Sequence, residues 1–275
     1  MTLDRKIDFA IKLLQSIPQD GTIELSYSTG KDSDIILQLA KEAGIPFEAI
    51  YKNTTVDLPG SLAHARENGV TIVQPKKTML QLIEEKGWPS RRARFCCEEL
   101  KEYKIHDRAI QGIRRSESTA RSKRYHEPEM CRTYRKGEKA RIYLPILEWT
   151  DAGVETFIKD RGIKCHPHYY DENGSFCVKR RVGCIGCPLA SDGGRAEFRQ
   201  YPKMFRAWAR AFSRWFDSHP DSSTVKTFGN VYNALYFKMF CEDMKDYNNR
   251  IAPPLFAEYQ LDAKDYLEQY FNIEL

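Results

Sequence analysis

The chain has 275 residues, 41% hydrophobic and 29% charged, enough apolar material for one folded domain, or one domain plus a helical extension, and too much for wholesale disorder. Its 43 basic and 38 acidic side chains leave a net charge of +5, a total that decides little. Its clustering says more, because Arg91, Arg92 and Arg94 lie together, as do Arg114, Arg115, Arg121, Lys123 and Arg124, and Lys179, Arg180 and Arg181. Such clusters suit phosphate-bearing ligands, nucleotide or nucleic acid, as well as they suit a solvated basic face. No stretch approaches the roughly 18 apolar residues of a membrane span, and the charged amino terminus holds no apolar signal core. A cytoplasmic protein with no membrane partner is therefore expected, in which eight cysteines point to metal or redox chemistry rather than to disulfides.

Residues 6–16 have helical periodicity, 22–28 read as a strand, and a Gly-containing turn leads into a helix from Asp32 to Ala43. A second strand is expected at 46–52, a helix at 58–68, a third strand at 70–74, a helix at 78–86, further strands at 108–113 and 142–147, and a helix at 151–161. This alternation implies βαβ units and a parallel sheet with helices on both faces. From Arg195 the character changes: Phe198, Tyr201, Phe205, Trp208, Phe212, Trp215 and Phe216 stand at helical spacing among arginines, as one or two helices with a buried apolar stripe. Residues 221–275 read as further helices with a break at Pro253–Pro254. The expected division is a nucleotide-binding domain with a Cys-rich segment over 1–194 and a helical carboxy-terminal region over 195–275.

Ser28, Thr29, Gly30, Lys31, Asp32 and Ser33 sit where the first strand meets a helix. Free N–H groups and the positive end of the helix dipole favour an anion there; Gly30 permits close approach, Lys31 adds a charge and the hydroxyls add donors. An ordinary helix cap is the competing reading. The segment 112–121 offers Gly112, Arg114, Arg115, Ser116, Ser118 and Arg121 around one helix start, a receptor for phosphate or sulfate, or a capped surface helix.

The loop resembles the SGGKDS signature of the ATP pyrophosphatase superfamily, with Thr29 in place of a glycine. With NTTVDLP (53–59), FCCEELK (95–101), GIRRSESTAR (112–121), LPILEWT (144–150), HPHYY and RVGCIGCPLA (181–190), the chain resembles the phosphoadenylyl-sulfate reductase family from about residue 22 to 218. The resemblance implies an adenine nucleotide alpha-hydrolase-like α/β fold with a carboxy-terminal helical extension. It also implies that segment 112–121 meets the anionic end of the nucleotide, that Thr55 and Asp57 line the adenosine pocket, and that Lys31, Asp32 and Arg115 carry the chemistry. On the residues alone, Asp57 could equally cap the helix at 58–68.

Iron–sulfur adenylyl-sulfate reductases of this type bind a [4Fe–4S] cluster through a vicinal pair, a long gap and a CxxC. That pattern implies Cys96, Cys97, Cys184 and Cys187 as ligands. A structural zinc on Cys165, Cys177, Cys184 and Cys187, with His166 and His168 close by, is the alternative, and buried free thiols are a third. The reductases' carboxy-terminal nucleophile motif is missing; Cys241 lies among acidic residues that would raise its pKa. An intact GKDS string goes with superfamily members that cleave ATP with Mg²⁺. The leading expectation is thus an adenylating sulfurtransferase with an iron–sulfur cluster, as in DNA phosphorothioation systems, served by a sulfur-donor protein. A thioredoxin-dependent adenylyl-sulfate or phosphoadenylyl-sulfate reductase stands as the alternative, with a silent nucleotide- or nucleic-acid-binding module as the third reading.

Overall fold

The computed structural model describes residues 2–134, 137–251 and 261–275; the Pro253–Pro254 break lies outside the described residues. In chain order it contains α1 (Leu3–Gln15), β1 (Ile23–Tyr27), α2 (Lys31–Ala43), β2 (Glu48–Lys52), α3 (Ser61–Glu67), β3 (Thr71–Val73), α4 (Met79–Lys86) and α5 (Phe95–Leu100). There follow β4 (Arg108–Gln111), a 3₁₀ turn at Arg115–Glu117, α6 (Thr119–Arg124), β5 (Glu129–Thr133), β6 (Lys139–Tyr143), α7 (Asp151–Asp160) and a 3₁₀ turn at Pro167–Tyr169. The remaining helices are α8 (Arg195–Gln200), α9 (Pro202–Ser218), α10 (Ser223–Phe228), α11 (Val231–Phe240), α12 (Met244–Ile251) and α13 (Ala263–Phe271). The chain forms two compact units, one of residues 1–75 and 98–183, the other of 76–97 and 184–275.

The first unit is an α/β fold around a six-stranded sheet in the order β3-β2-β1-β4-β6-β5. Strands β1 to β4 and β6 are parallel, with Ser26 level with Ile50 on one side and with Gln111 on the other. The edge strand β5 is antiparallel to β6 and breaks the expected all-parallel pattern. Helices α1, α2 and α7 bury Leu14, Ile35, Leu39, Val154 and Phe157 against Leu25, Tyr27 and Ile110 of the sheet. Ala109, Ala140, Ile142, Leu144 and Leu147 make the core on the other face. The strand order reverses between β1 and β4, so a crevice opens outside their carboxyl ends, the place where open α/β sheets bind ligands.

Two expected boundaries shift for local reasons. Helix α3 begins at Ser61 rather than residue 58, because Pro59 and the left-handed Gly60 (φ 94°) precede it. The strand expected at 142–147 is β6, ending at Tyr143; Pro145 has no N–H to offer a ladder.

The second unit is held by aromatic rings. The arginine-rich stretch forms α8 and α9 and buries Phe198, Phe205, Trp208, Phe212 and Phe216. Trp88 packs edge-on to Trp208 at 5.3 Å and to Phe212 at 5.8 Å, and Phe205 stacks on Phe271 at 3.9 Å. Among the described residues no helix is long and apolar enough to cross a membrane.

Candidate functional site

The loop after β1 closes on itself before it meets any ligand. The Ser33 hydroxyl and backbone N–H both donate to the Gly30 carbonyl, at 2.7 and 2.8 Å, and the Asp34 N–H joins them at 3.1 Å. The Lys31 N–H donates to the Tyr169 hydroxyl at 3.1 Å. The Lys31 ammonium lies 3.3 Å from Asp32 and above the Tyr169 ring, and it is almost fully buried. Thr29 holds a left-handed backbone (φ 61°), uncommon for a β-branched residue, and its buried hydroxyl has no hydrogen-bond partner among the described residues.

The segment after β4 lies beside this loop because β1 and β4 are paired. Gly112 is required there: a Cβ on it would stand 2.8 Å from the Asp32 carbonyl oxygen. Arg114 then turns inward. Its guanidinium donates to Asp32 at 2.7 Å, Asp151 at 3.0 Å, the Ser116 hydroxyl at 3.0 Å and the Trp149 carbonyl at 3.4 Å, and the residue is 1% exposed. The Ser116 hydroxyl in turn donates to the Trp149 carbonyl at 2.8 Å. Ser118 caps α6 by accepting from the Arg121 N–H at 3.2 Å. Arg121 pairs with Glu117, and Arg115 points outward to Glu148 at 2.9 Å.

These parts frame a cleft of about 280 Å³ lined by Lys31, Arg114, Ser116, Glu117, Ser118, Arg121, Asp151, Val178, Lys179 and Arg181. Five cationic side chains face two carboxylates, so the cleft favours an anion. Of the basic triplet at 179–181, Lys179 and Arg181 line the cleft, whereas Arg180 donates to the His168 and Tyr170 carbonyls at 3.1 and 2.6 Å. Arg115 is not among the lining residues. On the other side of the loop, Ser28 borders a smaller hollow of about 130 Å³ with Glu24, Ser26, Lys52, Gln111, Arg132 and Tyr134 among its walls. Glu24 and Lys52 pair there at 3.3 Å, and burial lowers the Lys52 pKa. Asp57 accepts from the Tyr51 hydroxyl at 2.5 Å and the Thr54 N–H at 2.9 Å, and Thr55 has a left-handed backbone (φ 65°).

Beneath the loop, Asp34 accepts from the Tyr27 hydroxyl and meets His64 Nε2 at 2.9 Å. Burial, then Asp34, pushes the Tyr27 pKa up. His166, also fully buried, lies edge-on to His64 at 5.8 Å; burial, reinforced by His64 and His168, pulls its pKa down to about 4. Sequence reading did not single out Tyr169, Tyr27, Asp34 or His64. Their partners stand far along the chain, and the HPHYY string alone could not show that its first tyrosine reaches the loop.

The metal expectation is overturned. Among the described residues no group of three or more His, Cys, Asp or Glu side chains is placed to hold a metal ion. No disulfide joins the cysteines among the described residues. The Cys96 thiol is hydrogen-bonded to Cys97, and that contact, burial and the nearby Cys97 and Cys184 sulfurs push its pKa up. With no metal-holding group formed among the described residues, Cys96, Cys97, Cys184 and Cys187 do not make the expected [4Fe–4S] set. The zinc alternative fails on the same finding: His166 Nδ1 accepts from the His168 N–H at 3.1 Å and its Nε2 faces Ser61 at 3.4 Å, while burial and Asp34 push the Cys165 pKa up. Among the described residues the carboxylates of this loop are engaged with protein groups: Asp32 with Lys31 and Arg114, and one oxygen of Asp34 with Tyr27 and His64. The iron–sulfur sulfurtransferase expectation falls with its cluster.

A mainly parallel sheet, a tight loop between β1 and α2, and a basic cleft where the strand order reverses define an α/β protein of the nucleotide-binding type. Residues 22–190 match the phosphoadenosine phosphosulfate reductase domain, more than half of the chain, and the protein belongs to that family of enzymes. An uncharacterized 37.8 kDa protein of Escherichia phage 186 is 33% identical over 139 residues, covering 45% of this chain and 39% of the phage protein; the chain thus matches well under half of that relative's length. Among solved structures, Candida glabrata FMN adenylyltransferase with FMN and an ATP analogue has a TM-score of 0.38 at 16% identity, over 57% of this chain and 55% of its own. NMN synthetase from Francisella tularensis has a TM-score of 0.37 at 11% identity, over 99% and 94%.

Proposed function

We propose that this chain binds an adenosine nucleotide ending in a 5′-phosphosulfate and cleaves it reductively, with a thioredoxin-type dithiol as electron donor. Thiol attack on the sulfate sulfur and closure of the donor's disulfide convert one adenylyl sulfate and one dithiol into AMP, sulfite and one disulfide. The observation that carries this reading is the basic cleft beside Arg114, at the carboxyl ends of β1 and β4.

In this reading Arg121, Lys179 and Arg181 hold the sulfate end by charge-assisted hydrogen bonds. Lys31, Asp32 and Arg114 lock the two loops together and set the field around the phosphate. Ser28, Thr29, Gly30 and Ser33 form the floor under it, Ser116 and Ser118 add hydroxyls at the rim, and the nucleoside lies on the Ser28 side toward Thr55 and Asp57. Arg115 serves the rim through Glu148.

The test is sulfite release from adenosine 5′-phosphosulfate, and separately from its 3′-phosphorylated form, with thioredoxin and its reducing system. Turnover of one of them is expected, and the Lys179→Ala/Arg181→Ala double variant should lose about tenfold to a hundredfold in kcat/KM. No sulfite from either nucleotide would sink the proposal.

A further inference from the structure

We infer that Tyr169 sets nucleotide choice at this site: its phenol fills the seat that the terminal phosphates of a nucleoside triphosphate would need, and so selects nucleotides whose 5′ end is one phosphate capped by sulfate. This rests on the adenylyl-sulfate reading above and deepens it.

The start of α2 would ordinarily offer unpaired N–H groups to a polyphosphate. Here the Lys31 N–H goes to the Tyr169 hydroxyl at 3.1 Å, and the Ser33 and Asp34 N–H groups go back to Gly30. The Val182 N–H donates to the same phenol oxygen. That oxygen therefore accepts two backbone donors, as a phosphate oxygen would. It stands 3.5 Å from where a Cβ on Gly30 would be, at the point where a glycine lets an anion approach.

The tyrosine is built in. It ends the 3₁₀ turn Pro167–Tyr169, its N–H donates to the His166 carbonyl at 2.9 Å, its carbonyl accepts from Cys177 at 2.7 Å, and its ring packs on Phe176 at 5.7 Å. Burial raises its pKa, so the group in the seat is a neutral phenol. A triphosphate would have to evict a buried ring and bring its charge beside Asp32 and Asp34. A phosphosulfate can stay in the basic cleft on the Arg121 side.

The experiment measures calorimetric affinities of the full chain for ATP, AMP and adenosine 5′-phosphosulfate, in wild type, Tyr169→Phe and Tyr169→Ala. Wild type should bind ATP at least tenfold more weakly than adenosine 5′-phosphosulfate. The ratio should shift toward ATP about tenfold or more in Tyr169→Ala and about threefold in Tyr169→Phe. The phenylalanine keeps the ring packing, so it reads the hydroxyl even should the alanine variant unfold. Wild-type preference for ATP, or an unmoved ratio in folded variants that still bind adenosine 5′-phosphosulfate, overturns the inference alone. Binding of none of the three by wild type overturns both the inference and the proposed function.

Discussion

The Arg114 guanidinium and the Asp32 carboxylate meet at 2.7 Å, joining the loop after β4 to the loop after β1. Asp32 also faces Lys31, and Arg114 also reaches Asp151, so one buried cation organises the wall of the cleft. Burial alone would weaken this charge; the carboxylates around it more than compensate and its pKa is raised. Arg114→Ala should cost about 3 kcal/mol in urea unfolding, since a largely buried carboxylate loses its main partner. Arg114→Lys should recover only part of that, because an ammonium cannot reach Asp32, Asp151 and the Trp149 carbonyl together. A loss under about 0.5 kcal/mol would show that the pair is not what holds the loops.

Gly112 sets how close those loops come. Adding one methyl at position 112 places a carbon 2.8 Å from the Asp32 backbone oxygen, which cannot swing away as a side chain could. Gly112→Ala should therefore displace the loop, lowering affinity for adenosine 5′-phosphosulfate by about tenfold, with about 1–3 kcal/mol lost in stability. Gly183→Ala, which meets nothing within 4 Å, is the matched control. Equal behaviour of the two variants would remove the close approach from the account.

Much of this arrangement could be read before any coordinates. The alternation of apolar Ile23, Leu25 and Tyr27 with polar residues in β1, the turn at Gly30 and the periodicity of α2 announce a strand–loop–helix, and the 112–121 segment supplies Arg114, Ser116, Ser118 and Arg121 to the cleft beside it. The edge strand β5 could not be read, because Glu129–Thr133 alternates exposed and half-buried positions and pairs with β6 alone. The individual arginines were opaque for another reason: neighbours in the chain diverge, Arg114 to the interior and Arg115 to the surface. Cysteine spacing suggested a cluster, yet spacing says nothing about which side chains converge, and no metal-holding group forms among the described residues.

Cys241 is the only thiol beyond the CxxC, and its surroundings argue against a nucleophile. Burial, with Asp246 next, pushes its pKa up to about 11. At pH 8 about one molecule in a thousand would carry the thiolate. Iodoacetamide should label Cys241 about a hundredfold more slowly than an ordinary exposed thiol, and Cys241→Ser should leave sulfite release with a thioredoxin system at the wild-type rate. Rapid labelling at pH 8 traced to Cys241 by mass spectrometry would contradict this.

His166 makes stability depend on pH. Its folded pKa of about 4 lies below the ordinary value near 6.5, chiefly through burial and then through His64 and His168. The unfolded chain therefore binds this proton more readily than the folded one. The stabilisation is complete above about pH 6.5 and drains away as pH falls toward 4, by on the order of 2–3 kcal/mol across that window. His166→Gln keeps a polar group facing Ser61 and cannot take up the proton. Urea unfolding at several pH values should show wild type losing stability between pH 6.5 and 4 more steeply than the variant. Parallel slopes would mean that folding leaves the His166 pKa at its unfolded value, so that burial does not hold the proton off.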